Sequence, residues 1–437
     1  MLDTTPKTLG QRIKFLRIER GLTQGALTRG EITAGMISQI ESDRITPSVR
    51  VISLIAQQLG VSPSELVNEV ESRTSQIQMI TDARDFLLHG DGKSAIPLLK
   101  ELLTMTITYL SSQEIELDIA YAVELTGDIN QAKELYENLE HKALFQHNHL
   151  LLAKVLQRRG DLARKQDRKS LALYCFKKSL RFLAAVYMVD PLLVIYAKKQ
   201  ISILSYYLRN LTQSLHYAQE VYCYYQQEGM MDDLAQICHT LSVLHGETGN
   251  HIEAISFAQD TVSIYRSLGM HREMIDAMFN QAIVLRIAKK WQIALNLLTQ
   301  VIAEYRKEGD TVSLVSAWIE QAHSELLVGN HEKSMQIILQ SMEWIVSGTI
   351  QYAEAQRIRA LLLIELDQRR QAITVLQECL TTFLSYKLFV TAEQVLSQLE
   401  QLYDLEQQEE LSYECHERKY TLMANSHQQL TASYLSV

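Results

Sequence analysis

Sixteen small residues recur in step along most of this chain, and no other feature limits its fold as tightly. One column reads Ala95, Ala132, Ala172, Ser214, Ala254, Ala294, Ser334 and Ala372, at spacings of 37 to 42 residues, mostly 40. Twelve residues before each lies a second column: Ala83, Ala120, Gly160, Ser202, Ser242, Ala282, Ala322 and Ala360. Such small side chains are required where two helices of a hairpin cross closely, because larger ones hold the backbones apart. Five residues before the first column lies a turn position, occupied by Gly90, Gly127, Asp167, Arg209, Gly249, Lys289, Gly329 and Asp367. Its four glycines are each followed by Asp or Asn, a turn signature. Phe257, Leu297, Leu298, Ile337, Ile338, Val375 and Leu376 follow the small residues and are expected to fill the interface to the next pair. The expected fold is all-α, with a right-handed α-solenoid of about eight or nine helix pairs. Near 387–425 a ninth pair places Gln398 and Glu410 in the small columns, which suits a polar terminal cap.

Composition agrees. The 437 residues exceed one ordinary core, and no proline follows Pro191, which favours uninterrupted helices. The five cysteines stand singly at 175, 223, 238, 379 and 415. An odd count without a CxxC pair is no disulfide framework and suits a reducing cytosol. No apolar run reaches the roughly 20 residues of a membrane helix, and the N-terminus lacks a signal-peptide pattern. A cytoplasmic protein is expected. Charge is uneven: residues 1–70 hold eight Lys/Arg and seven Asp/Glu, whereas the remainder holds 34 and 44. Any polyanionic partner is expected to meet the near-neutral head and not the acidic remainder.

That head carries its own local signals. Leu9, Ile13 and Leu16 form one stripe of a first helix over about Thr8–Arg20, with Gly21 suited to a left-handed end. Thr23 can cap a second helix from Gln24, and Thr33 a third whose Ile37 and Ile40 face inward. Ser48 can cap a fourth, closed by Gly60, with Leu54 and Leu59 in the core. Ser62-Pro63-Ser64-Glu65 reads as a capping box opening a fifth.

The order of parts is specific: LTQ at 22–24, ISQIE at 37–41, Arg44-x-x-Pro47-Ser48, then LGVS at 59–62. Over about 60 residues it resembles the phage-repressor-like helix-turn-helix family. The resemblance implies that Thr33–Ser42 is the recognition helix in the major groove. It implies that Gln24 holds the DNA backbone, that Arg44 contacts a phosphate, and that Ser38 and Gln39 point toward bases. Glu41 falls where the family pairs a glutamate with a first-helix arginine, here Arg17. Ala34 and Gly35 stand where relatives often carry base-reading side chains. Alanine can still touch a thymine methyl, so backbone contacts and DNA shape are expected to matter more. A domain this small reads one half-site, so a dimer is expected.

The array resembles tetratricopeptide repeats. Its first helices would line a concave surface able to hold an extended peptide. Stepping by the repeat gives Lys199, Gln200, Gln236, His239, Asp276, Asn280, Arg286, His323 and Arg357. Asn280 leads, because an amide both donates and accepts and can clamp a peptide bond. Lys199 and Arg357 could take a carboxylate. A helix-turn-helix followed by about nine such repeats is similar to the peptide-pheromone regulators of Gram-positive bacteria (the Rap, Rgg, NprR, PlcR and PrgX group), closest in layout to NprR. The resemblance implies a dimer or higher oligomer that binds a short signalling oligopeptide and double-stranded operator DNA. Asn280 matches the position where this group places a peptide-holding asparagine.

Enzyme signals are weak. No HExxH, GxGxxG or GxxxxGK[ST] occurs. Gly90-Asp91-Gly92-Lys93 sits on a repeat turn without phosphate-loop spacing. His147 and His149, two apart, cannot face one metal from a regular helix. Tyr222-Cys223-Tyr224-Tyr225 reads as packing between repeats. No enzyme, cofactor, metal or membrane role is expected. The expected division is a DNA-binding head over 1–70, a linker over 71–76, a sensing and dimerising array over 77–425 and a tail over 426–437. The rival reading is a scaffold or response-regulator-binding protein acting through protein contact.

Overall fold

The computed structural model describes residues 8–28, 32–42, 44–45, 47, 49–105 and 111–432, and the side chains of these apart from 49–50, 63–75 and 423–432. No strand occurs among the described residues. The chain opens with α1 (Leu9–Glu19), a 3-10 turn (Gln24–Leu27), α2 (Ala34–Glu41), α3 (Val49–Leu59) and α4 (Pro63–Leu88). The second of the five predicted helices is therefore a single tight turn. Caps set the starts: Thr8, Thr23 and Thr33 each accept a hydrogen bond from the backbone N–H three residues on, at 3.1 to 3.2 Å. Gly21 and Gly60 close α1 and α3 at φ of +67° and +64°. The proposed Ser48 cap lies outside the described residues, as do the side chains of Pro63, Ser64 and Glu65. Ile13, Leu27, Ile37, Ile40, Ile55 and Leu59 form the buried core of this head, with Leu54 packed at its edge.

α4 begins inside the head at Pro63 and ends at the first repeat turn. Residues 71–76, read as a linker, lie inside it, so the joint is helical.

The array continues with α5 (Gly92–Thr104), α6 (Ser112–Leu125), α7 (Ile129–Phe145), α8 (His149–Lys165), α9 (Lys169–Leu183), α10 (Pro191–Tyr207) and α11 (Leu211–Glu228). It goes on through α12 (Met231–Glu247), α13 (His251–Ser267), α14 (His271–Ile287), α15 (Trp291–Glu308), α16 (Thr311–Val328) and α17 (His331–Met342). It closes with α18 (Ile350–Glu365), α19 (Arg369–Ser385), α20 (Phe389–Leu405) and α21 (Glu409–Ala432). Residues 1–155 and 156–437 each form a compact unit, the division falling within α8.

The small columns fall where the helices of a pair cross, from α4/α5 to α18/α19. All sixteen residues are buried. Two of the serine crossings add hydrogen bonds: Ser202 and Ser214 each donate to the other's carbonyl, at 2.9 and 2.7 Å, and Ser334 donates to the Ala322 carbonyl at 2.8 Å. All eight residues of the turn column adopt the left-handed conformation, φ +57° to +93°. At Lys289 the backbone N–H of Lys290 donates to the Leu285 carbonyl and that of Lys289 to Arg286, both 2.9 Å, which satisfies carbonyls the helix end leaves open.

The terminal pair corrects one expectation. Its turn is at Gln407 (φ +58°), 40 residues after Asp367, so the columns continue at Glu400 and Ser412, not at Gln398 and Glu410. The 38-residue step of the preceding repeat had carried the register two residues short. Ser412 is buried as a crossing residue should be. Glu400 receives Lys419 at 2.6 Å and His416 at 2.9 Å, so α20 and α21 are also held by charge.

Candidate functional site

In the head, the sequence makes α2 two-faced. Ile37, Ile40 and Glu41 turn inward, while Thr33, Ala34, Gly35, Ser38 and Gln39 stand exposed together on the other side. Arg44 is exposed just beyond, and its backbone N–H donates to the Gln39 carbonyl at 2.9 Å. Glu41 fixes the helix against α1. Arg17 Nε and Nη2 donate to its two carboxylate oxygens at 2.6 and 3.0 Å, and Arg17 Nη1 reaches the Leu22 carbonyl at 2.9 Å. Burial alone would push the Glu41 carboxyl up, but the hydrogen bonds from Arg17 and Gln24 outweigh it and hold it below the usual range. Gln24 Nε2 donates to Glu41 at 2.7 Å, so one of its two amide protons is committed within the head. With short side chains on its outer face, α2 can bring its backbone close to a groove floor.

In the 156–437 unit, the candidate ligand residues all lie on first helices of pairs: α10, α12, α14, α16 and α18. The structure joins some of them. Lys199 Nζ donates to Gln236 Oε1 at 3.1 Å, pairs with Asp233 at 3.4 Å and lies 5.8 Å from the Tyr225 ring centre. Gln200 is buried, and its Oε1 accepts no hydrogen bond among the described residues. His239 is half-buried, and desolvation lowers its pKa. Asn280 is half-buried, with no side-chain hydrogen bond among the described residues. Arg286, His323 and Arg357 cluster across α14, α16 and α18. Burial first, then the two guanidinium charges, lower the His323 pKa to about 2, so its ring is neutral.

Asp276 lies one turn before Asn280 on α14. Its carboxylate accepts from Tyr305 Oη at 2.8 Å and pairs with Arg272 at 3.3 Å, in a network with α15.

The acids were missed from the sequence. Arg286 pairs with Glu320, Arg357 with Glu354 at 3.0 Å, and Lys199 with Asp233, so these cations already have counter-charges. A signal for them existed. Arg84–Asp118, Lys199–Asp233 and Arg286–Glu320 are all 34 residues apart, so a first-helix cation meets an acid on the next first helix.

Comparison with known proteins follows this division. Residues 10–72 match a family described as a helix-turn-helix domain. The immunity repressor of Bacillus phage phi105 is 40% identical over 63 residues, which is 14% of this chain and 44% of that repressor. The chain therefore spans less than half the length of that curated relative. Two solved structures resemble the array: a Rap protein complexed with competence and sporulation factor (15% identity, TM-score 0.54, 82% of this chain and 99% of that one) and the apo form of the quorum sensor NprR from B. thuringiensis (14% identity, TM-score 0.57, 81% and 99%). At these identities the likeness is one of fold. The chain joins a helix-turn-helix head to a helical-repeat array that shares its fold with these two structures. No described helix is long and apolar enough to cross a membrane.

Proposed function

We propose that this chain is a cytoplasmic transcription regulator that binds operator DNA through its head and is switched by a short peptide held along the first helices of its array. In the head, Thr33, Ala34, Gly35, Ser38 and Gln39 meet the base edges, while Gln24 and Arg44 hold the backbone. A single small head covers one half-site, so the working form is a homodimer. In the array, Asn280 clamps a ligand amide, and Lys199, Gln200, Gln236, His239, Asp276, Arg286, His323 and Arg357 surround the ligand.

One observation carries the sensing part: Asn280 and Gln200 keep unspent hydrogen-bonding capacity on half-buried or buried first-helix positions. A buried acceptor without a partner, as at Gln200, is costly unless something completes it, and the accessible Asn280 amide is uncommitted and can take a ligand's peptide group. The groove cations are already paired, so the reading favours a ligand recognised mainly through its backbone amides. The array fold shared with a structure described as a quorum sensor supports it.

The test is a gel shift of the full chain on its own upstream DNA, with and without synthetic peptides encoded nearby. Peptide-sensitive binding is expected. Gln39→Ala with Arg44→Ala should abolish the shift and leave the circular dichroism of the array unchanged. Asn280→Ala should weaken peptide affinity about tenfold by calorimetry, the worth of one or two good hydrogen bonds. DNA binding indifferent to every peptide, alongside a stable complex with another protein, would replace the sensor with a scaffold.

A further inference from the structure

A cavity of about 290 Å³ lies within the 156–437 unit and shares no residue with the groove set. Its walls come from two stretches far apart in sequence, residues 169–209 and residues 387–422. Tyr207, Phe389 and Leu422 supply apolar wall, with Tyr207 59% and Phe389 44% exposed, so substantial apolar surface is left open there. Three cations line it, Lys169, Arg209 and Lys387, against one acid, Glu393.

These cations are not equally committed. Lys169 pairs with Asp167 at 2.5 Å and lies 5.6 Å from the Tyr207 ring centre. Arg209 reaches Glu247 only at 3.5 Å, with both side chains more than a third exposed, a geometry that holds it weakly. Lys387 has no ion pair among the described residues. An apolar wall beside a loosely held guanidinium and an unpaired ammonium matches a molecule with the same division of character.

We propose that this cavity binds an amphipathic organic anion, a carboxylate carrying an apolar chain, and that the bound anion clasps residues 169–209 to residues 387–422. A volume of about 290 Å³ has room for a carboxylate on a chain of about eight carbons. The site is separate from the peptide groove and stands or falls independently of it.

The probe is octanoate, titrated into the full chain by calorimetry, with octanamide as the uncharged counterpart. Octanoate should bind with a Kd of roughly 1 mM or tighter, and octanamide about tenfold more weakly, as expected for loss of one charge-assisted contact. Arg209 and Lys387 have φ of +62° and +57°, where glycine is at ease. The double variant Arg209→Gly with Lys387→Gly therefore removes both charges while relieving the turns. It should melt no lower than the parent and lose octanoate affinity about tenfold. Octanoate should also slow hydrogen exchange at backbone amides near 207–211 and 387–393. No measurable octanoate binding, equal affinity for octanamide, or unchanged affinity in the double variant would each overturn the site.

Discussion

Gly160 is the one glycine among the crossing residues, and it has no room for a side chain. A methyl group built there meets the Phe176 ring at 2.8 Å, and Phe176 is fully buried with nowhere to move. Gly160→Ala should therefore destabilise the array by up to about 2 kcal/mol, because an overpacking cost of about 1–3 kcal/mol outweighs the helix-propensity gain of about 1 kcal/mol. Urea unfolding followed by circular dichroism checks the sign, and a stabilised variant would mean the crossing is looser than it looks. His323 gives a second test at this scale. Its folded pKa of about 2 lies far below its ordinary 6.5, with Arg286 and Arg357 beside it and Glu320 and Glu354 holding those arginines. The neutral ring is the native form. Its contribution is therefore complete above pH 6.5 and declines as pH falls from there toward 2. Between about pH 7 and about pH 5.5 the array should lose about 1 kcal/mol on this account. His323→Gln should flatten that slope in urea melts at the two pH values.

Turns are the elements with stored strain. Seven described non-glycine residues adopt positive φ: His147, Asp167, Arg209, Lys289, Asp367, Lys387 and Gln407. Each such L-residue costs about 1–2 kcal/mol. Lys289 is exposed and forms no described ion pair, so Lys289→Gly should raise the urea midpoint by the equivalent of about 0.5–1 kcal/mol. A lowered midpoint would show that unfolded-state entropy dominates. The turn column could be read from sequence because spacing alone located it, even where Asp, Arg or Lys stands in place of glycine. The crossings were legible for the same reason: a small residue is demanded by close approach whatever its neighbours. The proposed ligand positions were legible only as polar positions on first helices. Side-chain pairing depends on how neighbouring pairs stack, so Asp276 turned to Tyr305 and the cations turned to Asp233, Glu320 and Glu354. In the head, the caps fixed most starts, but Gln24–Leu27 is too short to register as a helical period and closed as a 3-10 turn.

At the scale of the whole molecule, α4 matters because it serves both the head and the first repeat pair. It runs unbroken through 26 residues, about 39 Å at 1.5 Å per residue, with its proline at the first position and no glycine inside. Such a rod transmits rotation as well as distance. Each residue added near position 72 should swing the head about its long axis by roughly 100°, and about four should bring it nearly back into phase. Operator affinity measured across insertions of one to four alanines should therefore rise and fall with the helical period instead of decaying steadily. A monotonic decline would mean the joint behaves as a tether. A periodic one would make this rod the part whose pitch sets where two paired readers land along the duplex.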